Sequence, residues 1–406
     1  MTATPRTLPT APRIADRIGR LSGGGGDGWA IYYRTRDLEA AGVPVLNLTI
    51  GEHDVKTDPA ILDAMDRAAK GGLTGYTFGP GLPELRRAIA DRVTARTGVA
   101  TRPENVVVTA GGQAALFAAH MALLDPGNAG IYCAPFYPTY PGTIRAGGAE
   151  AVAVPTRSSQ AFQPQPDAIL AAAGPRARTL LINTPNNPTG VVYAPGTLEG
   201  IGGAVREAGL WLISDEVYDT QVWQGRHLSP RALPGLTDRT VVIGSMSKSH
   251  AMTGSRLGWI VAPVEIARAV EALATVTTYG VVPYIQAASI FALGLGPDFE
   301  ERVGAPFRRR RDIALRLVEG SPAIRAIPAE GAMYVMLDIR ATGLSGDTFA
   351  ARLLEEERIA VMPGESFGAP AAGHLRVAMT IPDEAVAEAV TRLRRFAEAR
   401  LAERAA

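Results

Sequence analysis

The sequence has a single cysteine, Cys133, among its 406 residues. One thiol excludes an intrachain disulfide and a cysteine-ligated metal cluster. The apolar stretch around Cys133 predicts a small buried hydrophobic residue on a strand. The five histidines are scattered without metal-ligand spacing, so no metal site is predicted. These absences favour a reducing, cytoplasmic compartment.

The sequence also lacks an excess of one charge and any long apolar run. Lysine and arginine number 41 against 40 aspartate and glutamate residues, so no strong field points to nucleic acid or an anionic membrane. No apolar run reaches the roughly 18 residues of a membrane span, and the N-terminus lacks the apolar segment of a secretory signal. The one basic run, Arg308–Arg311, lies in a helical pattern and is predicted to be mainly a solvated face.

Composition and length predict a globular protein with more than one domain. We predict an N-terminal arm and part of a small domain over residues 1–56, a large domain over 57–296 and a C-terminal small domain over 297–406. Gly23–Gly28 formally fits G-x-G-x-x-G, but no strand precedes it. A flexible arm or hinge is therefore predicted there instead of a dinucleotide site.

Strand and helix patterns alternate from about residue 57 to residue 295. One helix has readable ends, since Thr57 or Asp58 can cap it, Pro59 suits its first turn and Gly71 can end it. Apolar β-branched runs such as NVVVT and TLLIN have the pattern of buried strands. This alternation predicts an α/β protein with a mainly parallel sheet covered by helices on both faces.

The most informative stretch is VVIGSMSKSHAMTGSRLGW, residues 241–259. Its first part predicts a buried strand, and Ser245 and Lys248 follow directly, where open α/β sheets bind their ligands. A lysine shielded from water has a lowered pKa and can act as a nucleophile or Schiff-base former. A solvated loop lysine is the plainer alternative. Ser245 and Arg256 are residue types suited to bind a phosphate.

Together with PNNPTG at residues 185–190 and DEVY at 215–218, this stretch resembles the class I/II pyridoxal-phosphate aminotransferases. The resemblance covers nearly the whole chain. It implies the aspartate aminotransferase fold, also called fold type I, in which helices sandwich a mainly parallel seven-stranded sheet and both chain ends form a smaller α/β domain. It also implies that Lys248 holds pyridoxal 5′-phosphate as a Schiff base and that Ser245 and Arg256 bind the phosphate.

Two segments upstream fit the same cofactor. A glycine turn containing Gly111, Gly112 and Gln113 joins a strand to an apolar helix, and free N–H groups at such a helix start bind anions. These residues are predicted as a second phosphate clamp, although glycine turns also serve packing alone. Tyr137 follows the next strand and matches the family's position for stacking on the ring. An aromatic that merely fills the core is the alternative.

Polar residues near strand ends match the remaining atoms of the cofactor ring. An isolated buried carboxylate such as Asp215 needs a cationic partner, and a protonated pyridine nitrogen is one; a helix cap is the alternative. The resemblance implies that Asn187 binds the ring hydroxyl oxygen, although PNNPTG is also a common turn. Tyr218, three residues after Asp215, can donate its hydroxyl to the same oxygen.

The resemblance also assigns substrate and subunit contacts. Arg376 is implied as the bidentate clamp on the substrate α-carboxylate, together with Asn187; a surface ion pair is the alternative for a strand arginine. Gly51 matches a backbone position in the family's G-x-P-D-F segment, where this chain has GEHDV. A tyrosine at the position of Tyr76 reaches the partner's cofactor phosphate in an obligate homodimer, unless it only packs. Tyr279 is left open between lining the pocket and packing, as is Gln286.

These assignments imply an aminotransferase that moves an amino group from an L-amino acid to a 2-oxo acid, with Lys248, Asp215 and Tyr218 as catalytic residues. A cysteine-S-conjugate β-lyase and a non-catalytic pyridoxal-phosphate-binding protein are the alternatives. SKSHAMTGSRLGW and VMLDIRATGLS are similar to segments of arginine:pyruvate transaminases. No motif supplies a second arginine for a dicarboxylate side chain, and the identity of the donor is left open.

Overall fold

The computed structural model describes residues 13–21, 29–77 and 79–405. The predicted glycine-rich arm at Gly23–Gly28 lies outside the described residues. In chain order the strands are β1 (Leu46–Leu48), β2 (Val106–Thr109), β3 (Ala129–Ala134), β4 (Glu150–Pro155), β5 (Ala177–Asn183), β6 (Trp211–Asp215), β7 (Thr240–Ser245), β8 (Gly258–Val261), β9 (Arg325–Ala326), β10 (Tyr334–Asp338), β11 (Ile359–Pro363) and β12 (His374–Ala378).

Helices alternate with these strands, as the sequence predicts. They are α1 (Asp16–Gly19), α2 (Ala30–Ala40), α3 (Pro59–Lys70), α4 (Pro83–Thr97), α5 (Gly112–Leu123), α6 (Tyr140–Arg145), α7 (Pro166–Ala172), α8 (Pro195–Glu207), α9 (Met246–Ser249), α10 (Val264–Thr277), α11 (Pro283–Gly294), α12 (Pro297–Val318), α13 (Gly346–Glu357) and α14 (Asp383–Ala405). The predicted ends of α3 are confirmed, because the Asp58 carboxylate accepts a hydrogen bond from the Ala60 N–H at 2.8 Å and Gly71 follows the last turn.

The large sheet has seven strands in the order β2-β8-β7-β6-β5-β3-β4. Strand β8 runs antiparallel to both of its neighbours, and every other pairing is parallel. Alternate side chains of β7 enter different cores. Val241 and Ile243 pack in a cluster with residues of α5 and α10, whereas Val242 packs with residues of α3, α4 and α11. Helices therefore cover both faces, which confirms the predicted α/β class.

A second sheet has five strands in the order β1-β11-β12-β10-β9. It combines β1, from the N-terminal part of the chain, with four strands from the C-terminal part. Its core is packed with residues of α12, α13 and α14. Cys133 is buried on β3, as predicted.

The prediction for the basic run is wrong at two of its four arginines. Arg308 and Arg309 are exposed, but Arg310 and Arg311 are largely buried. The Arg310 guanidinium donates to both oxygens of Asp54, at 2.9 and 2.7 Å. A helical pattern places consecutive residues on different faces, so one run of like charges contributes to both surface and interior.

The described part of the chain has neither a membrane-spanning helix nor a cluster of metal-ligating side chains. None of its helices has the length and apolar character needed to cross a membrane. Within residues 13–21, 29–77 and 79–405, no three His, Cys, Asp or Glu side chains converge as metal ligands would.

Candidate active site

The parallel strands β2, β5, β6 and β7 end at the same edge of the large sheet, and a cavity of about 360 Å³ opens there. Its wall also includes Tyr334 on β10 and Arg376 on β12, so both sheets contribute. Apart from Gly111 and Tyr76, all the site residues predicted from the sequence line it. These are Gly51, Gly112, Gln113, Tyr137, Asn187, Asp215, Tyr218, Ser245, Lys248, Arg256 and Arg376.

Lys248 lies in α9, the single helical turn that follows β7. Its Nζ donates a hydrogen bond to the carbonyl oxygen of Gly51, and His53 Nε2 lies 3.0 Å from the Lys248 carbonyl oxygen. Burial lowers the pKa of Lys248 to about 8; the charge of Glu52 opposes this shift, and Arg376 and Arg256 add to it. About a tenth of this amine is therefore uncharged at pH 7, far more than for a solvated lysine, and the uncharged form is the nucleophile.

One end of the cavity forms a cationic cup. Gly111 has φ +83°, and a Cβ there would overlap the Arg256 guanidinium, so glycine lets the start of α5 lie against that side chain. Arg256 itself has φ +49° and donates to the Thr253 carbonyl oxygen at 2.8 Å. Ser245 Oγ accepts from the Ser247 N–H at 3.1 Å. A helix start, a guanidinium and a hydroxyl are suitable donors for a dianionic phosphate. Gly111 thus contributes to the cup although it does not line the cavity.

Asp215, the last residue of β6, also lines the cavity and is buried. Tyr140 Oη donates to its Oδ2 at 2.7 Å, and the Val217 N–H donates to its Oδ1 at 3.3 Å. Burial raises the pKa of Asp215 to about 6, and these two hydrogen bonds oppose the rise. Both donors are neutral, so the carboxylate would be stabilised by a cationic atom placed in the cavity.

Asn187 and Arg376 form a hydrogen-bonded pair deep in the site. Arg376 is 2% exposed, and its guanidinium carbon lies 4.6 Å from the ring centres of both Tyr334 and Phe367. It donates to Asn187 Oδ1 at 2.9 Å and to the Thr49 carbonyl oxygen. A guanidinium has five N–H donors, so three remain for a ligand. The buried position excludes the alternative of a surface ion pair.

The aromatic residues of the prediction fall into two groups. Tyr137 lines the cavity, with its ring 5.8 Å from that of Tyr140 in an edge-on arrangement, and Tyr218 Oη lies 3.0 Å from Tyr334 Oη. Tyr76 is not brought to this cavity. It is 82% exposed, and its ring lies 5.2 Å from that of Tyr279.

Gln286 has a structural position. It is buried in α11, where its Oε1 accepts from the Leu82 N–H at 2.8 Å and its amide donates to the Val281 carbonyl oxygen at 2.6 Å. The sequence left open whether Gln286 lines the pocket or packs, and in the structure it packs.

Several residues of the cavity were not predicted. Tyr140 stands three positions after Tyr137, at the start of α6, and its contact with Asp215 was not predicted. Asn183 Nδ2 donates to the Asp215 backbone carbonyl oxygen at 2.9 Å. Tyr334 and Glu52 also line the cavity; Glu52 lies in the GEHDV segment, and Tyr334 directly precedes VMLDIRATGLS.

Comparison with known proteins identifies the family of the chain. The model of the family "Aminotransferase class I and II" matches residues 43–393. The arginine–pyruvate transaminase AruH of Pseudomonas aeruginosa is 39% identical over 381 residues, 94% of this chain and 97% of that protein. The aspartate/prephenate aminotransferase of Thermus thermophilus is 34% identical over 90% of this chain and 94% of its own. A structure of the Thermus thermophilus aspartate aminotransferase with maleate superposes with a TM-score of 0.89 at 32% identity, covering 95% of this chain and 100% of that one.

Proposed function

The chain belongs to the class I and II aminotransferases, which are pyridoxal 5′-phosphate enzymes, and from this premise we propose that Lys248 is the residue that binds the cofactor aldehyde. When bound, the cofactor supplies an electron sink for the carbanion formed at the α-carbon of the amino donor. The observation that carries the proposal is the environment of Lys248, a partly buried amine with a pKa lowered to about 8 in the cavity that Arg256 and the buried Asp215 also line.

The donor set fits a flat phosphorylated pyridine. Arg256, Ser245 and the α5 segment from Gly111 to Gln113 would hold the phosphate, because they combine a positive charge with hydroxyl and backbone donors. Tyr137 would lie against the ring. The volume of the cavity, about 360 Å³, supports the binding of such a ligand, because it falls within the range usual for small-molecule sites.

Asp215 would hold the proton on the ring nitrogen, since a buried carboxylate with only neutral donors is stabilised by a cation. Asn187 and Tyr218 would bind the ring hydroxyl oxygen. The Asn187 Oδ1 already accepts from Arg376, which leaves its amide nitrogen to donate. Tyr218 can donate because its own pKa is raised well above 10 by burial and by Tyr334, so that it keeps its proton.

Arg376 would bind the α-carboxylate of the amino donor with its remaining N–H groups, which orients the α-carbon toward Lys248. The backbone carbonyl of Gly51, which accepts from Lys248 Nζ, would direct the amine once it is free. Lys248 would then accept the α-proton and return a proton as a general acid. A pKa close to the working pH suits both steps.

We further propose that the amino donor has a basic side chain. The 39% identical relative is named an arginine–pyruvate transaminase. The arginines lining the cavity are Arg256 and Arg376 within the described residues, and both have roles above, so none is left for a second carboxylate of a dicarboxylic donor.

We propose three further features of the protein. A homodimer with Tyr76 reaching the partner's phosphate is favoured by the high exposure of this ring. The division into residues 1–56, 57–296 and 297–406 is supported by the five-stranded sheet, which draws strands from both ends of the chain. A cytoplasmic location is favoured by the lone buried thiol.

The assignment of Lys248 is tested by reducing the holoenzyme with borohydride and mapping the labelled peptide. The sequence has three lysines, Lys56, Lys70 and Lys248, so the site of labelling can be assigned unambiguously. We expect the label on Lys248 alone. Lys248→Ala should lower kcat by at least about 10³-fold, because one group supplies both covalent attachment and proton transfer.

The matched control is Lys70→Ala, because Lys70 is exposed on α3 and pairs with Asp66. It should retain wild-type activity and labelling. A label on Lys56, or a Lys248→Ala enzyme that still turns over amino donors at the wild-type rate, would refute the assignment. Release of pyruvate and ammonia from cysteine S-conjugates, without transamination, would support the β-lyase alternative.

A further inference from the structure

We propose that Glu52 contacts the side chain of the amino donor and selects a donor whose side chain carries a positive charge. This inference rests on the proposed function, whose α-carboxylate clamp is Arg376, and it adds the residue responsible for side-chain specificity. The Glu52 carboxylate has no role in the proposed binding of the cofactor or in the proposed proton transfers.

Glu52 lines two neighbouring cavities. It lines the reaction cavity that contains Lys248, and it also lines an adjoining outer cavity of about 380 Å³. The Glu52 side chain is exposed, and the Thr253 hydroxyl donates to its Oε1 at 3.1 Å. Thr253 lines both cavities as well. A substrate side chain that leaves the reaction cavity along this route would meet the Glu52 carboxylate.

The charges of the reaction cavity single out Glu52. In the described part of the chain, its charged lining residues are Glu52, Asp215, Lys248, Arg256 and Arg376. The last four are assigned to the ring nitrogen, the covalent bond, the phosphate and the α-carboxylate. Glu52 therefore remains as a carboxylate with a neutral hydroxyl partner. It would attract a cationic side chain and repel an acidic one, which gives selection in both directions.

Glu52 is also close to the reacting amine. The carbonyl of the preceding residue, Gly51, accepts the hydrogen bond from Lys248 Nζ. Burial lowers the pKa of Lys248, and the charge of Glu52 is the strongest influence that opposes this shift. The carboxylate thus lies within electrostatic range of the position where the donor's amino group reacts.

The loop around Glu52 is fixed on both sides, so the backbone that carries this side chain is held in place before substrate binds, and the Thr253 hydroxyl donates to its carboxylate. Gly51 is tied to Lys248 Nζ, and His53 Nε2 lies 3.0 Å from the Lys248 carbonyl oxygen. Asp54 accepts two hydrogen bonds from Arg310, at 2.9 and 2.7 Å. A preorganised carboxylate loses little conformational entropy when it binds a guanidinium or ammonium group.

Trp29 adds a second element of cation recognition. It lines the reaction cavity together with Glu52. A guanidinium or ammonium group near the face of an indole is attracted by its quadrupole. A carboxylate and an indole at one cavity are therefore a chemically suitable pair for a side chain such as that of arginine.

The experiment compares arginine with citrulline, its uncharged isostere, as donors to the holoenzyme with pyruvate as acceptor. We expect kcat/KM of the wild type to favour arginine by about 10- to 100-fold, the scale of a close charge pair covered by substrate. In Glu52→Gln this ratio should fall to about 1. Glu52→Lys should reverse the sign of the preference and raise the rate with glutamate relative to arginine.

Glu104→Gln serves as the matched control, because Glu104 is exposed and belongs to neither cavity; its arginine-to-citrulline ratio should equal that of the wild type. Three outcomes would overturn the role of Glu52. The first two concern Glu52→Gln: an equal loss of kcat/KM with arginine and citrulline, or an arginine-to-citrulline ratio that is unchanged from the wild type. The third is a wild-type preference for glutamate over arginine, which would point to Arg36 and Lys56 in the outer cavity. A holoenzyme that transaminates neither arginine, citrulline nor alanine would instead contradict the proposed function itself.

Discussion

At the scale of single residues, two aspartates four positions apart show how surroundings decide the state of a charge. Burial favours a higher pKa for both carboxyl groups. Asp215 has neutral hydrogen-bond donors, and its pKa reaches about 6. Asp219 pairs with Arg92 at 2.8 Å and Arg96 at 3.2 Å, and these charges hold its pKa well below the usual range. The charge of Asp219 is thus neutralised by arginines of the protein, whereas Asp215 has no such partner among its hydrogen-bond donors and could pair with a cation of a bound ligand.

The raised pKa of Asp215 makes a prediction for the cofactor-free protein. The folded state binds the Asp215 proton more tightly than the unfolded state, so this group stabilises the fold below about pH 4, and that contribution is lost as the pH rises toward 6. We expect the wild type to lose about 3 kcal/mol relative to Asp215→Asn across this window. The measurement is urea unfolding of both cofactor-free proteins at a series of pH values.

Asp63→Asn provides the comparison, because Asp63 is exposed on α3. The difference between this variant and the wild type should stay nearly constant with pH. A constant difference between the wild type and Asp215→Asn would show that the carboxylate is solvated or already paired in the absence of cofactor.

At the scale of elements, α12 acts as an anchor for the loop that follows β1. Arg310 on this helix donates to Asp54 in the loop and to Asp383 at the start of α14, as well as to the Met379 carbonyl oxygen. The same loop contains Gly51, whose carbonyl accepts from Lys248. One buried guanidinium thereby joins two helices to a wall of the active site.

Two arginines on the same helix provide the test of this anchor. Arg310→Met should destabilise the protein by about 2–3 kcal/mol, because it leaves the partly buried Asp54 carboxylate without its partner and Asp383 with Arg309 alone. Arg308→Met should cost less than about 0.5 kcal/mol, since Arg308 forms an exposed pair with Glu301. Chemical denaturation gives both values, and hydrogen exchange should speed up over residues 51–54 only in Arg310→Met. Equal effects of the two substitutions would contradict the anchoring role.

At the scale of the whole molecule, one surface combines several exposed apolar side chains. Tyr76 and Val276 are 82% and 79% exposed, and Tyr279 and Val282 are also exposed. The Tyr76 ring contacts that of Tyr279, which follows α10. Apolar side chains gathered in this way are typical of a protein interface, which supports the proposed homodimer.

Mixing two inactive variants tests whether Tyr76 works across that interface. If each site combines Lys248 of one protomer with Tyr76 of the other, a hybrid of Lys248→Ala and Tyr76→Ala contains one intact site and one doubly defective site. Random reassociation should then restore about a quarter of the wild-type activity. Activity that stays at the level of the separate variants would mean either that Tyr76 acts in the site of its own subunit or that the subunits do not exchange. A mass measurement on differently tagged chains distinguishes these two explanations.

A feature could be predicted from the sequence when the residues that determine it are neighbours in the chain, and could not when they are far apart. The ends of α3 were predictable because Asp58, Pro59 and Gly71 act on the backbone next to them. The strand order was not, since nothing in the residues 258–261 indicates that β8 runs antiparallel between β2 and β7. The four arginines from 308 to 311 were read as one face, and the burial of Arg310 depends on Asp54, 256 positions away.

The sequence by itself determined the alternation of strands and helices, the turn that presents Lys248 and the family to which the chain belongs, because each is written in a few neighbouring residues. Only the tertiary structure decided which side chains share a site. Arg376 meets Asn187 across 189 positions and the Thr49 carbonyl across 327, and Glu52 becomes part of the cavity through its neighbours' contacts with Lys248 and Arg310. Such contacts arise from packing two sheets together, and no local pattern encodes them.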